Sequence, residues 1–189
     1  MITRGRTVRA LTLASLALGF SACGVDPKKA PAKFRLEGSL TQVMDLGYDE
    51  ARILIAPEDV SLVFVRIRPL VSAPTDDAGT SSTEPVAGTS EDYPFKLAYR
   101  LLEDGLPSGG RVDLAALDAN GKQRGVFSRN VADDPRNSLP PIVRGTISFN
   151  RPLDPDTTVT GDFHVTFENG IEAASGRTVF STYSARVQP

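Results

Sequence analysis

Val159-Thr160-Gly161-Asp162-Phe163-His164-Val165-Thr166-Phe167 is the stretch that decides the fold class. Successive side chains of a strand point to opposite faces. Val159, Gly161, Phe163, Val165 and Phe167 therefore share one face, and Thr160, Asp162, His164 and Thr166 share the other. One apolar and one polar face mark a strand half-buried in a sheet.

The same period spreads outward from this strand. Downstream, Asn169-Gly170 turns the chain, and Val179, Tyr183, Ala185 and Val187 fall in register within Arg177 to Val187. Upstream, Pro152 to Asp156 turns. Before it, Val143, Gly145, Ile147 and Phe149 face one way while Arg144, Thr146 and Ser148 face the other. Further back, Phe95, Leu97, Tyr99 and Leu101 alternate, as do Val112, Leu114 and Ala116. Asn120-Gly121, both tolerant of positive φ, makes a hairpin turn before Val126-Phe127. Leu62-Val63-Phe64-Val65 with Ile67 is apolar on both faces, which predicts a central strand ended by Pro69. Phe34, Leu36, Gly38 and Leu40 alternate with Arg35, Glu37 and Ser39 and read as a first strand. About eight or nine strands, turns roughly every 8–12 residues and no long helical pattern predict an all-β domain. The expected architecture is a single antiparallel β-sandwich over residues 34–189, with a small β-barrel as the alternative.

Ile147 to Val165, with its Phe149 strand end and the turn Pro152-Leu153-Asp154-Pro155, resembles a strand–turn–strand signature of bacterial immunoglobulin-like repeats. The resemblance covers this segment alone and implies a sandwich fold without catalysis.

Residues 72–92 read differently. Ser, Thr, Gly, Pro, Ala and acids fill them, with one Val and no other large aliphatic residue. Such a stretch buries too little apolar area to offset the entropy of ordering it. It is expected to be a mobile loop within the domain. Gly24 to Lys33, with two prolines and three lysines, reads as a solvated tether reaching at most about 35 Å.

Ahead of the tether lies a leader. Arg4, Arg6 and Arg9 precede the apolar run Ala10 to Phe20. As a helix this run spans about 17 Å, against a hydrocarbon core about 30 Å thick. It is too short to cross a bilayer and has the layout of a signal peptide. Phe20-Ser21-Ala22-Cys23 resembles the lipobox of bacterial lipoproteins, with Phe20 where that family prefers Leu. The resemblance implies cleavage between Ala22 and Cys23 and acylation of Cys23, the only cysteine. Gly24, which is not Asp, implies passage to the outer membrane under the family's sorting rule. Residues 1–22 would then be the signal peptide and 23–33 the lipidated cysteine and tether. Two or three acyl chains at about 0.8 kcal/mol per buried CH₂ make a durable anchor. Plain secretion and an uncleaved anchor are the competing readings of the leader.

Lys and Arg total 21 and Asp and Glu total 23 in the 189 residues. Removing the leader takes three arginines and no acid, leaving 18 against 23 and a net charge of −5. An acidic surface argues against nucleic acid as a partner. The acids come as doublets: Asp49-Glu50, Glu58-Asp59, Asp76-Asp77, Glu91-Asp92, Glu103-Asp104 and Asp133-Asp134.

The sequence names no catalytic constellation and implies no cofactor. His164, the only histidine, lies on a polar strand face and reads as a solvated position. A lone His without Cys does not build the usual zinc sites, and no serine lies in a G-x-S-x-G elbow. Asp118-Ala119-Asn120-Gly121 resembles a fragment of a calcium loop but lacks its flanking acids. The expectation is a non-enzymatic lipoprotein of the cell envelope. It would be held to the bilayer through acylated Cys23 and would bind another envelope protein as an accessory of a secretion, motility or adhesion complex. The alternatives are a binding module for a glycan, small molecule or calcium, and an unrecognised hydrolase.

Overall fold

The computed structural model describes residues 31–70, 88–101, 105–129 and 139–189. Among them the alternating stretches form β1 (Phe34–Arg35), β2 (Gly47–Tyr48), β3 (Glu50–Ile55), β4 (Asp59–Leu70) and β5 (Gly88–Arg100). They continue as β6 (Gly110–Asp113), β7 (Gly125–Arg129), β8 (Ile142–Phe149), β9 (Thr158–Phe167) and β10 (Thr178–Gln188). A 3₁₀ turn over Ser39–Gln42 is the helical element among the described residues.

Eight strands join one ladder in the order β6-β8-β9-β10-β3-β4-β5-β7. Two antiparallel meanders, β3–β4–β5 and β8–β9–β10, meet edge to edge where β10 runs alongside β3. The two free edges are then brought together by the chain between β6 and β7. The Gly125 amide donates to the Leu114 carbonyl and the Arg124 amide to the Ala116 carbonyl, both at 2.8 Å. The all-β fold read from the sequence is present. Of the two architectures the sequence allowed, the sheet follows the barrel: one continuous ladder rolled nearly closed. β10 and β3 run parallel, with Ala185 opposite Ala51 and Gln188 opposite Leu54, where an antiparallel sheet was expected. Both strands enter from the same end of the barrel. Near the start of β10, Phe180 exchanges backbone hydrogen bonds of 2.9 and 3.0 Å with Glu37.

The interior is filled. Phe64 of β4 lies 5.8 Å from Phe163 of β9, and Phe127 of β7 lies 6.5 Å from Phe163 and 5.9 Å from Phe167. Toward the other end, Phe149 meets Tyr99 and Tyr183 at 6.0 and 6.4 Å. All but the Phe149–Tyr183 contact join one half of the ladder to the other, in the tilted and edge-on geometries that aromatic pairs prefer. Leu114 is wedged at the seam between two glycines. A Cβ on Gly125 would come within 2.6 Å of the Leu114 Cβ, and one on Gly145 within 3.3 Å. The walls close there because neither position carries a side chain.

Two sequence readings change. The first-strand alternation breaks after Arg35, and Phe34 is 56% exposed. Gly38 takes φ +110, and a Cβ there would run into the Thr178 carbonyl. The chain leaves the ladder at that point and turns through the 3₁₀ segment. Leu36, Leu40 and Leu46 are thereby delivered into the core as a plug. The expected loop 72–92 is also too long at its C-terminal end. Gly88 to Asp92 belong to β5, with Glu91 opposite Ile67 and Asp92 opposite Arg66. Polar residues extend the strand because β4 supplies a ladder and arginines to pair with. The rest of that loop, and the leader and tether as far as Ala30, lie outside the described residues.

Candidate functional site

The most organised charged group sits on the outer wall of β3–β4–β5. Arg52 on β3 donates through Nη1 and Nη2 to the two carboxylate oxygens of Glu91, both at 2.7 Å. Its Nε and Nη2 also donate to Glu50, at 2.9 and 3.3 Å. The Tyr93 hydroxyl donates to Glu91 at 2.9 Å. Glu91 is on β5, so the Arg52 side chain crosses β4 to reach it. Val63 and Val65 of β4, opposite Arg52 and Glu50 in the register, are 3% and 0% exposed although they face outward. The aliphatic stem of the arginine covers them while its head remains paired. This is why β4 is apolar on both faces, as its sequence predicted.

The clasp fixes protonation. Hydrogen bonds from Arg52, then from Tyr93, hold the Glu91 carboxyl down at about 2, and the two glutamates push the Arg52 guanidinium well above its ordinary value. Glu91 is a committed carboxylate and not a proton donor near neutral pH. A carboxyl depressed in the folded state contributes stability that is full above its unfolded value, 4.5, and is lost as the pH falls through about 2. Arg52→Met should return Glu91 to the ordinary carboxylate range and remove that acid-side slope. A carbon-detected NMR titration of Glu91 checks this; a Glu91 midpoint still near 2 in the variant would show that the clasp is not the cause.

Several other described acids are paired as well. Burial alone would raise Asp49, but the amides of Ile67 and Lys33, at 2.9 and 3.0 Å, and the Arg66 charge bring it down. Asp92 pairs with Arg68 at 2.8 Å, Asp45 with Arg35 at 3.1 Å and Asp156 with Arg186 at 2.9 Å. Among the described doublets, Asp49-Glu50 and Glu91-Asp92 thus form half of an arginine–carboxylate lattice on the outer wall. The spacing Glu50-x-Arg52 places both groups on one strand face and was the available sequence signal for it.

Inside the barrel two tyrosines stand apart. The Tyr183 hydroxyl donates to the Ser148 carbonyl at 2.6 Å. The Tyr99 hydroxyl is buried with no partner among the described residues, and the Arg124 guanidinium lies 5.9 Å from its ring centre. Burial raises both phenols, so both remain protonated.

Of the residues singled out by sequence, Ala22 and Cys23 lie outside the described residues. His164 is on the outer face, stacked on Phe180 at 6.1 Å. The Asp118 turn is self-contained. One carboxylate oxygen accepts from the amides of Lys122 and Asn120, at 2.8 and 2.9 Å, and the other faces Arg100 at 3.4 Å. Those bonds depress its pKa, the Lys122 amide first. Among the described residues, no three His, Cys, Asp or Glu side chains converge as metal ligands. The Ile147–Val165 segment forms the β8–β9 hairpin. No family model, curated protein or solved structure matches this chain.

Proposed function

We propose that the protein is a lipid-anchored component of the bacterial cell envelope, resident in the outer membrane, and that its barrel is a non-catalytic scaffold for a protein partner. The observation that carries this reading is the filled interior. Phe64, Phe127, Phe163, Phe167 and Tyr99 occupy the space in which a ligand-holding barrel would keep its cavity. Binding is left to the outer wall, where the arginine–carboxylate lattice keeps the scaffold rigid. The anchor reading rests on Phe20 to Cys23. Seven residues, Gly24 to Ala30, separate Cys23 from Pro31, the first described residue. Fully extended, the eight Cα steps from Cys23 to Pro31 span at most about 28 Å, so an acylated Cys23 would hold the Leu36–Leu40–Leu46 end of the barrel toward the bilayer.

Cys23→Ser is expected to abolish acylation and block cleavage after Ala22. Metabolic labelling with a fatty-acid analogue, read together with the mass of the mature chain, tests it. Undiminished label in the variant would remove the lipid anchor from the reading.

A further inference from the structure

Asparagine followed by glycine is a chemically unstable pair. The backbone nitrogen after the asparagine can attack the side-chain amide carbon, and a glycine there has no Cβ to obstruct the approach. The described residues hold two such pairs, Asn120-Gly121 and Asn169-Gly170, both exposed in loops. The fold treats them differently.

In the β6–β7 hairpin the groups the reaction needs are engaged. The Gly121 amide, which would be the nucleophile, donates to the Asp118 carbonyl at 2.9 Å. The Asn120 amide donates to the Asp118 carboxylate at 2.9 Å, and the Lys122 amide to the same oxygen at 2.8 Å. Rotating the Gly121 peptide toward the Asn120 side chain would break this turn. A third asparagine, Asn150, is also held. Its Oδ1 accepts from the Thr160 amide at 2.9 Å, and Arg151 follows it in place of glycine.

The β9–β10 turn leaves Asn169 free. Neither its carboxamide nor the Gly170 amide makes a hydrogen bond among the described residues. A Cβ on Gly170 would meet only the Ser175 side chain, so the Gly170 peptide has room to rotate toward Asn169 Cγ. The turn is closed further on, where the Gly176 amide donates to the Glu168 carbonyl at 2.9 Å. Its far side presents the Ala173 carbonyl to Arg177 Nε at 2.7 Å. The same guanidinium donates through Nη1 to the Ser39 carbonyl and to Gln42 Oε1, both at 3.0 Å. Arg177 thus ties this turn to the 3₁₀ segment that inserts Leu40 into the core.

We propose that Asn169 is a site of spontaneous deamidation, and that its isoaspartyl product loosens the turn that holds the 3₁₀ plug. The Gly170 nitrogen bonds to Asn169 Cγ, the carboxamide C–N bond breaks, and ammonia leaves with the proton of the Gly170 amide. Water then opens the succinimide. Opening at one carbonyl gives aspartate. Opening at the other gives isoaspartate, whose side-chain methylene becomes part of the backbone. Water is the only co-reactant. Either product adds a carboxylate to a turn that already carries Glu168 and Glu172. The isoaspartyl form also lengthens the chain inside the Glu168–Gly176 closure and pushes Ala173 away from Arg177. The reaction is independent of the lipid anchor and of any partner.

The test is ageing of the full chain, purified in detergent, in mildly alkaline buffer. Peptide mapping by mass spectrometry follows each asparagine, and isoaspartyl methyltransferase counts the isoaspartate. Asn169 should convert about tenfold faster than Asn120, the factor set by one hydrogen bond of about 1.4 kcal/mol. In urea, where both turns are lost, the two rates should converge. Gly170→Ala should suppress conversion at Asn169, and Asp118→Ala should release it at Asn120. The isoaspartyl protein, separated by ion exchange, should melt earlier than Asn169→Asp, which adds the charge without the methylene. Equal rates in the folded chain, faster loss at Asn120, or a ratio that persists in urea overturns the assignment of the site. An isoaspartyl protein as stable as Asn169→Asp overturns the link to the plug.

Discussion

Phe163→Ala should cost about 3–5 kcal/mol, from lost transfer free energy and from the cavity left behind. Phe163 is 1% exposed and touches the opposite wall twice, at Phe64 and Phe127. The truncation therefore unpacks β4 and β7 from β9 at the middle of the barrel. A domain of this size holds only about 5–15 kcal/mol in all, so the variant should melt far earlier in urea. His164→Ala is the internal comparison. Its ring lies on the outer wall against Phe180, and its loss should change stability by less than about 0.5 kcal/mol. If His164→Ala proves the more damaging of the two, the facing of β9 is inverted and the packing described above is wrong.

That facing was legible before any coordinates. A strict period of two places Phe163, Val165 and Phe167 together, and the sheet buries all three. The same reasoning recovers β5, β8 and β10, and the double-sided apolar run of β4. It fails at Phe34 to Leu40, where the alternation is equally good over seven residues. There Gly38 takes a positive φ and lies directly against the Thr178 carbonyl, a contact of long sequence separation. The rolled topology was also hidden. Whether strands fall into two sheets or one depends on which edges meet. That is decided by Gly125 and Gly145 leaving room for Leu114, a relation among three residues that periodicity does not see. The clasp was half visible: Glu50-Ala51-Arg52 shows two same-face partners, but Glu91 comes from a segment whose composition reads as loop. The register break in β8 between Ile142 and Arg144 left a weaker trace still. Val143 and Arg144 sit where regular alternation would send one of them inward, and only the bulge turns both out.

Glycine at position 161 gives the second large effect, and its sign opposes ordinary propensity. Glycine inside a strand or helix usually costs about 0.5–1 kcal/mol relative to alanine, so Gly161→Ala would be stabilising if space allowed. It does not. A Cβ at Gly161 would run into the Ser148 carbonyl and stand 2.7 Å from the Tyr183 hydroxyl. Neither neighbour can withdraw cheaply, since Gly161 pairs with Tyr183 in the β9–β10 ladder and Ser148 belongs to β8 on the other side. Tyr183 fills the space the missing side chain leaves, with its hydroxyl bonded to Ser148. Forcing strands apart in a packed wall costs about 1–3 kcal/mol, and a buried phenol stripped of its acceptor costs about 1–3 kcal/mol more. Gly161→Ala should therefore destabilise by several kcal/mol, comparable to Phe163→Ala. Gly170→Ala, whose Cβ would meet only the Ser175 side chain, its rotatable hydroxyl at 3.0 Å, should be nearly silent. Urea melts of the two alanine variants, with Gly161→Ala/Tyr183→Phe beside them, separate the causes. Removing the hydroxyl relieves one collision but leaves the Ser148 carbonyl in place, so the double variant should recover only part of the loss. Full recovery would mean that the phenol alone limits the site and that the β8–β9 wall can move to accept a side chain.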